Sequence, residues 1–278
     1  MKVLKFGGTS VANAQNIKLV LDIVLHKAKE EKVIVVVSAL SKVTDLLQLA
    51  AAKAAANDES FKEIVALIEK KHLDALKELI PVSEQSSLLS HIKRIVNHLE
   101  TLLDGCFLLG ELSPRTSDTI LSFGELLSSY IIAEALKQHL KNSAYKDSRE
   151  LIKTNNNFGK AAVNFEVSNQ LISNFVATNE SQVVIMPGFI ASSLDGINTT
   201  LGRGGSDYTA AIIAAAVEAT DLEIWTDVNG MFTANPKIVK QAQPIESISY
   251  QEALELSHFG ATVLYPPTIQ PVLNSNIP

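Results

Sequence analysis

The chain has a single cysteine, Cys106, in 278 residues. That excludes an internal disulfide framework and a thiolate metal cluster, and it fits a reducing compartment. Met1 to Thr9 does not read as a secretory signal, for it carries Lys5 and two glycines where a signal peptide is apolar. No apolar run reaches the length of a membrane span, and the longest ones read as buried strands and one core helix. Positive charge is short. A net charge of −6 argues against a nucleic-acid partner, which wants a basic face. No glycine-lysine-hydroxyl triplet forms a Walker A loop, and no glycine pattern after a strand matches the dinucleotide fingerprint. The histidines (His26, His72, His91, His98, His139, His258) stand mostly in polar helical contexts, with no pair in the setting of a metal site. They read as surface or satisfied groups, and Cys106 as a small core residue. A soluble cytoplasmic protein is the expectation.

What is present is ordinary globular material: 46% hydrophobic and 19% charged residues, enough chain to bury a sizeable core. Val3 to Phe6 reads as a strand broken by Gly7-Gly8, and Ser10 or Asn13 is placed to cap the helix after it. Ile17, Val20, Leu21, Val24 and Leu25 repeat there at helical spacing. Val33 to Val37 is a continuous β-branched run, the pattern of a strand covered on both faces. Residues 45–104 read as almost wholly helical, with breaks near Asn57-Asp58 and at Pro81. A helix is expected over Ile120 to Leu136, strands over Val183 to Met186 and Glu223 to Thr226, and a helix from Glu246 to Phe259 capped by Ser247 or Ser249. Strands alternating with helices imply an α/β fold, a mostly parallel sheet covered by helices on both faces. With no repeat or linker in view, one domain with two lobes is the economical organisation.

The densest chemistry lies in Thr199 to Ala210, where Gly202, Gly204 and Gly205 stand beside Arg203, Ser206 and Asp207 at the mouth of an apolar helical run. A glycine-rich turn opening a helix presents backbone N–H groups and the positive helix end to an anion. Arg203 suits bidentate binding of a carboxylate or phosphate. Asp207 is out of place in a pure anion site unless it meets a cation. Together they suggest an anion handled with a counter-cation, as phosphoryl transfer requires. Lys5 before Gly7-Gly8-Thr9-Ser10 reads either as a phosphate cradle or as a tight turn with a solvated lysine. Glu125, in Ser122-Phe123-Gly124-Glu125, reads either as a first-turn acid favoured by the helix dipole or as a ligand group given room by Gly124. Trp225-Thr226-Asp227 and the turn beyond it suit either a nucleotide or a plain strand end, with Trp225 itself a core ring.

These segments together resemble the aspartate kinase family, within the wider amino-acid kinase fold. The resemblance rests on Lys5-Phe6-Gly7-Gly8-Thr9-Ser10-Val11, Ser38 with Thr44, Phe123-Gly124-Glu125, Gly188-Phe189-Ile190, Leu201 to Ala211, Trp225-Thr226-Asp227-Val228 and Phe259-Gly260-Ala261. They occur in the family's order across nearly the whole chain. Leu4 to Ala14 and Ser249 to Leu256 look closest to fused aspartate kinase–homoserine dehydrogenase enzymes. The resemblance implies a three-layer sandwich, with residues 1–198 forming an amino-acid-substrate lobe and 199–278 a nucleotide lobe. It implies transfer of the ATP γ-phosphoryl group to the β-carboxylate of L-aspartate, the first step toward threonine, lysine and methionine.

By the same resemblance Lys5 would neutralise the transferring group, Gly7 and Gly8 would cradle it, and Asp207 would orient Lys5. Arg203 would grip the substrate α-carboxylate and Glu125 its ammonium, with Ser38, Thr44, Phe189 and Ser206 lining the pocket. Thr226, Asp227, Phe232 and Lys237 would bind ATP, whose Mg²⁺ is held mainly by phosphates and water, with no protein metal cage. A homodimer is compatible with the family. Four features depart from its pattern: Thr262 stands for a lysine, Tyr265 for a histidine, Phe232 for a tyrosine, and Asn235-Pro236-Lys237 for an acid-proline-arginine. All fall on the nucleotide side and bear on ATP affinity. The chain stops at Asn276-Ile277-Pro278, where the family enters its regulatory domains, so an isolated catalytic portion without feedback control is expected. The rival readings are another amino-acid kinase, acting on glutamate or an acylglutamate, and a non-catalytic module binding aspartate or nucleotide. Glu125 with Arg203 favours a free α-amino acid, because an acylated nitrogen carries no charge for Glu125 to meet.

Overall fold

The run Val33-Ile34-Val35-Val36-Val37 forms strand β2 (Val33–Val37), buried at all five positions. Its side chains alternate between two cores: Val33, Val35 and Val37 face one side, Ile34 and Val36 the other. Each buried aliphatic contributes about 1.5–3 kcal/mol, and the two-faced pattern fixes β2 in the middle of a sheet. The computed structural model describes residues 1–235, 238–258, 265 and 268–278. Among them β1 (Lys2–Phe6) pairs with β2 on one side and with β8 (Asp221–Trp225) on the other. With β3 (Ser143–Tyr145) and β5 (Val183–Pro187), the sheet runs in the order β3-β5-β2-β1-β8 and is parallel throughout. The parallel sheet read from the sequence is thus present. A second sheet was not legible there. It joins β4 (Lys153–Thr154), β6 (Ile190–Ser193) and β7 (Asn198–Thr200), the last two antiparallel.

Helices cover both faces. Helix α1 (Ala14–Lys27) and the run α2 (Val43–Ala55), α3 (Phe61–Leu79), α4 (Val82–Leu109) and α5 (Pro114–Lys137) contribute to one core. Helices α6 (Phe165–Thr178), α7 (Gly205–Ala216) and α9 (Gln270–Asn274) contribute to the other, beside α8 (Tyr250–His258). The expected breaks near Asn57-Asp58 and at Pro81 separate α2 from α3 and α3 from α4. Asn13, not Ser10, caps α1, its side chain accepting from Asn16 N at 2.9 Å. Ser249 caps α8 reciprocally: Glu252 N donates to its hydroxyl at 3.3 Å while its own N–H donates to Glu252 Oε2 at 2.9 Å.

One expectation needs correction. Helix α5 begins at Pro114 behind the Ser113 cap, six residues before the apolar run that signalled it. Glu125 therefore sits in mid-helix, and the helix-dipole reading of it falls. Helix α5 is long and apolar enough to cross a membrane, but 72% of its most apolar 18-residue stretch is buried inside the protein, so it is the core helix expected from the sequence. It packs on α2, α3, α4 and four strands, β2, β3, β5 and β7.

One histidine departs from the surface reading. His72 on α3 is fully buried, its Nδ1 2.7 Å from Ile68 O and its Nε2 without a partner. Burial pushes its pKa down to about 4 from 6.5. The fold holds it neutral, whereas the unfolded chain protonates it below 6.5, so its contribution is lost as pH falls through that window. In urea denaturation at pH 7 and pH 4.5, the wild type should lose about 2–3 kcal/mol more than His72→Leu. Equal losses would show that His72 is free to ionise in place.

Candidate active site

All strands of the main sheet run the same way, so the carboxyl ends of β1, β2, β5 and β8 meet at one edge. An open parallel sheet binds ligands at such an edge. Here it delivers Lys5 in the penultimate position of β1, Ser38 just past β2, Phe189 just past β5, and the first turn of α7. Helix α5 crosses behind them. Together these elements enclose a cavity of about 220 Å³ lined by Lys5, Ser38, Thr44, Glu125, Phe189, Gly202, Gly204, Gly205, Ser206 and Asp207. Seven residues singled out from the sequence (Lys5, Ser38, Thr44, Glu125, Phe189, Ser206 and Asp207) thus share one space.

Strand alternation sends Lys5 to the same face as Val3, toward α7. Its Nζ lies 2.5 Å from Asp207 Oδ1, both side chains being largely buried. That oxygen has no hydrogen-bond partner, so the ammonium charge is what holds it. Gly7, two residues on, is placed so that a side chain there would begin 3.5 Å from Lys5 Nζ, and Gly8 lies against Ala39 O. Neither lines the cavity itself; they shape the turn beside it.

Glu125 is 3% exposed. Its Oε1 accepts from Ala39 N at 3.2 Å, while Oε2 has no partner. Burial raises its pKa to about 8, and the single backbone bond only partly offsets this. Such an acid is protonated at neutral pH until a cation arrives. Among the described residues no cation of the protein pairs with it, which leaves that oxygen for a ligand.

The Gly-rich turn is held open by its backbone. Gly204 caps α7 at φ 70°, and a side chain there would meet Thr268 Cγ2 at 2.9 Å, so only glycine fits. Across the cavity Phe189 itself adopts φ 65°, a conformation a bulky residue avoids at a cost of about 1–3 kcal/mol. Two bonds hold it: its N–H donates to Thr209 Oγ1 at 3.0 Å, and its carbonyl accepts from Leu201 N at 2.9 Å. Ser38 Oγ donates to Ser206 Oγ at 2.8 Å, closing the wall between β2 and α7.

Other expected residues lie off this wall. Arg203 belongs to the turn between lining residues Gly202 and Gly204, but its side chain is exposed and its guanidinium stands 5.6 Å from the Tyr265 ring centroid. Thr226 and Asp227 are exposed just past β8, joined by a 3.1 Å hydrogen bond from the Thr226 hydroxyl. Phe232 is half-buried and bridges Pro244 through the backbone. Trp225 packs partly buried on the core, its ring stacked on Phe6 at 6.0 Å. Lys237, Pro236, Thr262 and Phe259-Gly260-Ala261 lie outside the described residues.

Asp118 was missed. Two turns ahead of Glu125 on α5 and 1% exposed, it accepts from Thr200 N and Thr200 Oγ1, both at 2.9 Å, and from Gly159 N at 3.0 Å. It thereby ties α5 to the strand that leads into the Gly-rich turn. The signal was available: Asp118 lies seven residues from Glu125, on the same helical face, had the helix been started at Pro114.

Known proteins with this arrangement are recognisable. The chain is 36% identical over 277 residues to the chloroplastic bifunctional aspartokinase/homoserine dehydrogenase 2 of Arabidopsis thaliana, covering 99% of this chain and 30% of that protein. It is 36% identical over 279 residues to lysine-sensitive aspartokinase 3 of Escherichia coli, covering 99% of this chain and 60% of that one. The crystal structure of E. coli aspartokinase III in complex with aspartate and ADP matches with a TM-score of 0.90 at 34% identity, covering 100% of this chain and 60% of the other. The chain therefore spans only part of these relatives' length. The sequence signature of the amino acid kinase family runs through residues 1–278, and the chain belongs to that family.

Proposed function

We propose that this chain transfers the ATP γ-phosphoryl group to the β-carboxylate of L-aspartate, giving 4-phospho-L-aspartate. The observation that carries the reading is the cavity's pairing of a buried, unpartnered carboxyl oxygen on Glu125 with the Lys5–Asp207 ion pair across it. A free α-amino acid brings the ammonium that Glu125 lacks, and the same observation disfavours an acylated substrate. The match to an aspartokinase solved with aspartate and ADP supports aspartate as that amino acid.

The β-carboxylate is ionised at neutral pH, so the attacking group needs no general base. The barrier lies in bringing two anions together in line, and positioned cations and backbone N–H groups lower it. Lys5 stands at the end of β1 to take up charge on the transferring phosphoryl group, with Asp207 fixing its ammonium. The N-terminus of α7, at Gly205 and Ser206, adds its positive end. Arg203, now on the Tyr265 ring, reaches the substrate α-carboxylate by swinging from the rim. The nucleotide is assigned to Gly7-Gly8 and the Thr226–Phe232 segment; Lys237, outside the described residues, joins it by the family resemblance alone. The acids of the cavity, Asp207 and Glu125, are committed to an ammonium each, so Mg²⁺ rides on the ATP phosphates and water. Soluble substrates of this kind go with a cytoplasmic setting.

Three outcomes are expected. In a hydroxylamine-trapping assay with ATP and Mg²⁺, L-aspartate should give hydroxamate while L-glutamate and N-acetyl-L-glutamate give none; silence with all three from folded protein would overturn the reading. Lys5→Ala should lower kcat about 100–1000-fold with aspartate binding little changed. The KM for aspartate should fall by up to about tenfold per pH unit as pH rises toward 8, because Glu125 must ionise to meet the ammonium. In Glu125→Gln that slope should vanish and the KM rise; a retained slope would assign it to another group.

A further inference from the structure

On the far side of α5 a second cavity, about 550 Å³, opens between α4, α5, the end of β3 and β7. It is larger than the first and shares none of its lining residues. A volume in this range suits a small organic molecule. Its walls are of two kinds. Phe123, Leu126 and Tyr130 on α5 and Ile95 on α4 make an apolar, largely aromatic side. His91 stacks on Tyr130 with ring centroids 4.2 Å apart, and His98 meets Phe123 edge-on at 5.4 Å. Two guanidinium groups join this lining, Arg94 beside Ile95 on α4 and Arg149 from the short turn Ser148–Glu150.

The two arginines differ in what they offer. Arg149 is tied to Asp147, with its Nη2 at 2.6 Å and its Nε at 3.0 and 3.1 Å from the carboxylate oxygens, and it donates from Nη1 to Asn198 at 3.1 Å. Asp147 also accepts the Arg149 backbone N–H at 3.0 Å. That carboxylate is saturated, so it neutralises Arg149 and has nothing left for a ligand ammonium. Arg94 forms no ion pair among the described residues; its Nη2 lies 3.0 Å from His91 Nδ1. The cavity therefore carries a guanidinium with no ion-pair partner among the described residues, beside the His91 ring that stacks on Tyr130. Unlike the first cavity, it holds no buried carboxyl oxygen lacking a partner.

We propose that this second cavity is a binding site for a small organic anion with a flat or aromatic body, its anionic group on Arg94 and its body against Tyr130 and Phe123. A zwitterionic amino acid is not its ligand, because nothing there meets an ammonium. The site is separate from the phosphoryl-transfer site, yet it touches both walls of it: Phe123 lies two residues from Glu125, and Asn198 begins the strand that leads into the Gly-rich turn.

Anilinonaphthalene sulfonate, an aromatic monoanion that fluoresces when held in an apolar site, is the probe. Titrated into the folded chain, it should bind saturably at one equivalent. Arg94→Gln should weaken that binding by about tenfold or more, and Tyr130→Leu should weaken it as well. Lys5→Ala should leave it unchanged, and excess ATP should not displace it. Arg94 is exposed on α4, so its substitution leaves the fold intact, which an unchanged thermal melt verifies. Unsaturable fluorescence, binding indifferent to Arg94→Gln, or displacement by ATP would each overturn the proposal. The readout does not involve turnover, so its failure is distinct from failure of the kinase reading.

Discussion

The contact between Lys5 and Asp207 is the constraint on which the active region depends. It joins β1, an inner strand of the sheet, to the first turn of α7, two elements some two hundred residues apart in the chain. Withdrawing two charges from water is costly, and the mutual attraction recovers that cost only with good geometry. A packed apolar pair would serve the fold at least as well. What the ion pair supplies is a cation held at a fixed point at the mouth of the sheet, with its charge already half-screened by a partner. In the proposed reaction an arriving phosphate would find an ammonium that need not be ordered first, which is how preorganised charge lowers a barrier. The rest of the site follows from that placement. The Gly-rich turn must pass close enough to let Asp207 reach β1, and Gly204 permits it by taking a conformation no side chain would tolerate there.

Much of this was legible in the sequence because the physics is local. Five consecutive β-branched residues have no other comfortable use than a doubly covered strand, and Val33–Val37 is one. Glycines beside Lys5, Arg203 and Asp207 announced a charged turn, and the ordered motifs supplied the family resemblance. What escaped notice was non-local or short. Strands of two to four residues such as β4, β6 and β7 carry no periodicity to detect. The start of α5 was hidden because its first turn, Pro114-Arg115-Thr116-Ser117, is polar and looks like loop; only the Ser113–Pro114 cap gives it away. Missing those residues cost the reading both Asp118 and the true position of Glu125. The sequence also could not say which way Arg203 points, since an exposed guanidinium chooses between a ligand and an aromatic face by small differences.

Relocating Glu125 from a helix start to a helix middle changes its physics. At an N-terminus the dipole would hold it ionised; in mid-helix, buried, it is held neutral. Leaving a carboxyl oxygen without a partner in a protein interior costs about 1–3 kcal/mol, and the surrounding sequence is arranged to sustain that cost. Gly124 lets α5 approach the segment after β2 so closely that a side chain there would stand 2.9 Å from Ala39 Cβ. That approach is what brings Ala39 N–H within reach of Glu125 Oε1. Ser128 adds a second tie, its hydroxyl donating to Ser38 O at 2.8 Å.

The same helix turn that faces the small cavity with Glu125 faces the large one with Ser122 and Phe123. Between the two cavities α5 is still closely packed, Gly124 lying against Ala39 and Leu47, and its polar ties add to that packing: Asp118 to Thr200 and Gly159, Glu125 to Ala39, Ser128 to Ser38. All three ties lead to segments that end at the active edge of the sheet or at the Gly-rich turn. A displacement of α5 by even a fraction of an ångström would therefore be felt as a change in the reach of Glu125 and in the set of the turn that carries Arg203. Packed interiors transmit such shifts because they have little slack to absorb them. The helix is thus an element through which the contents of either cavity can bear on the other.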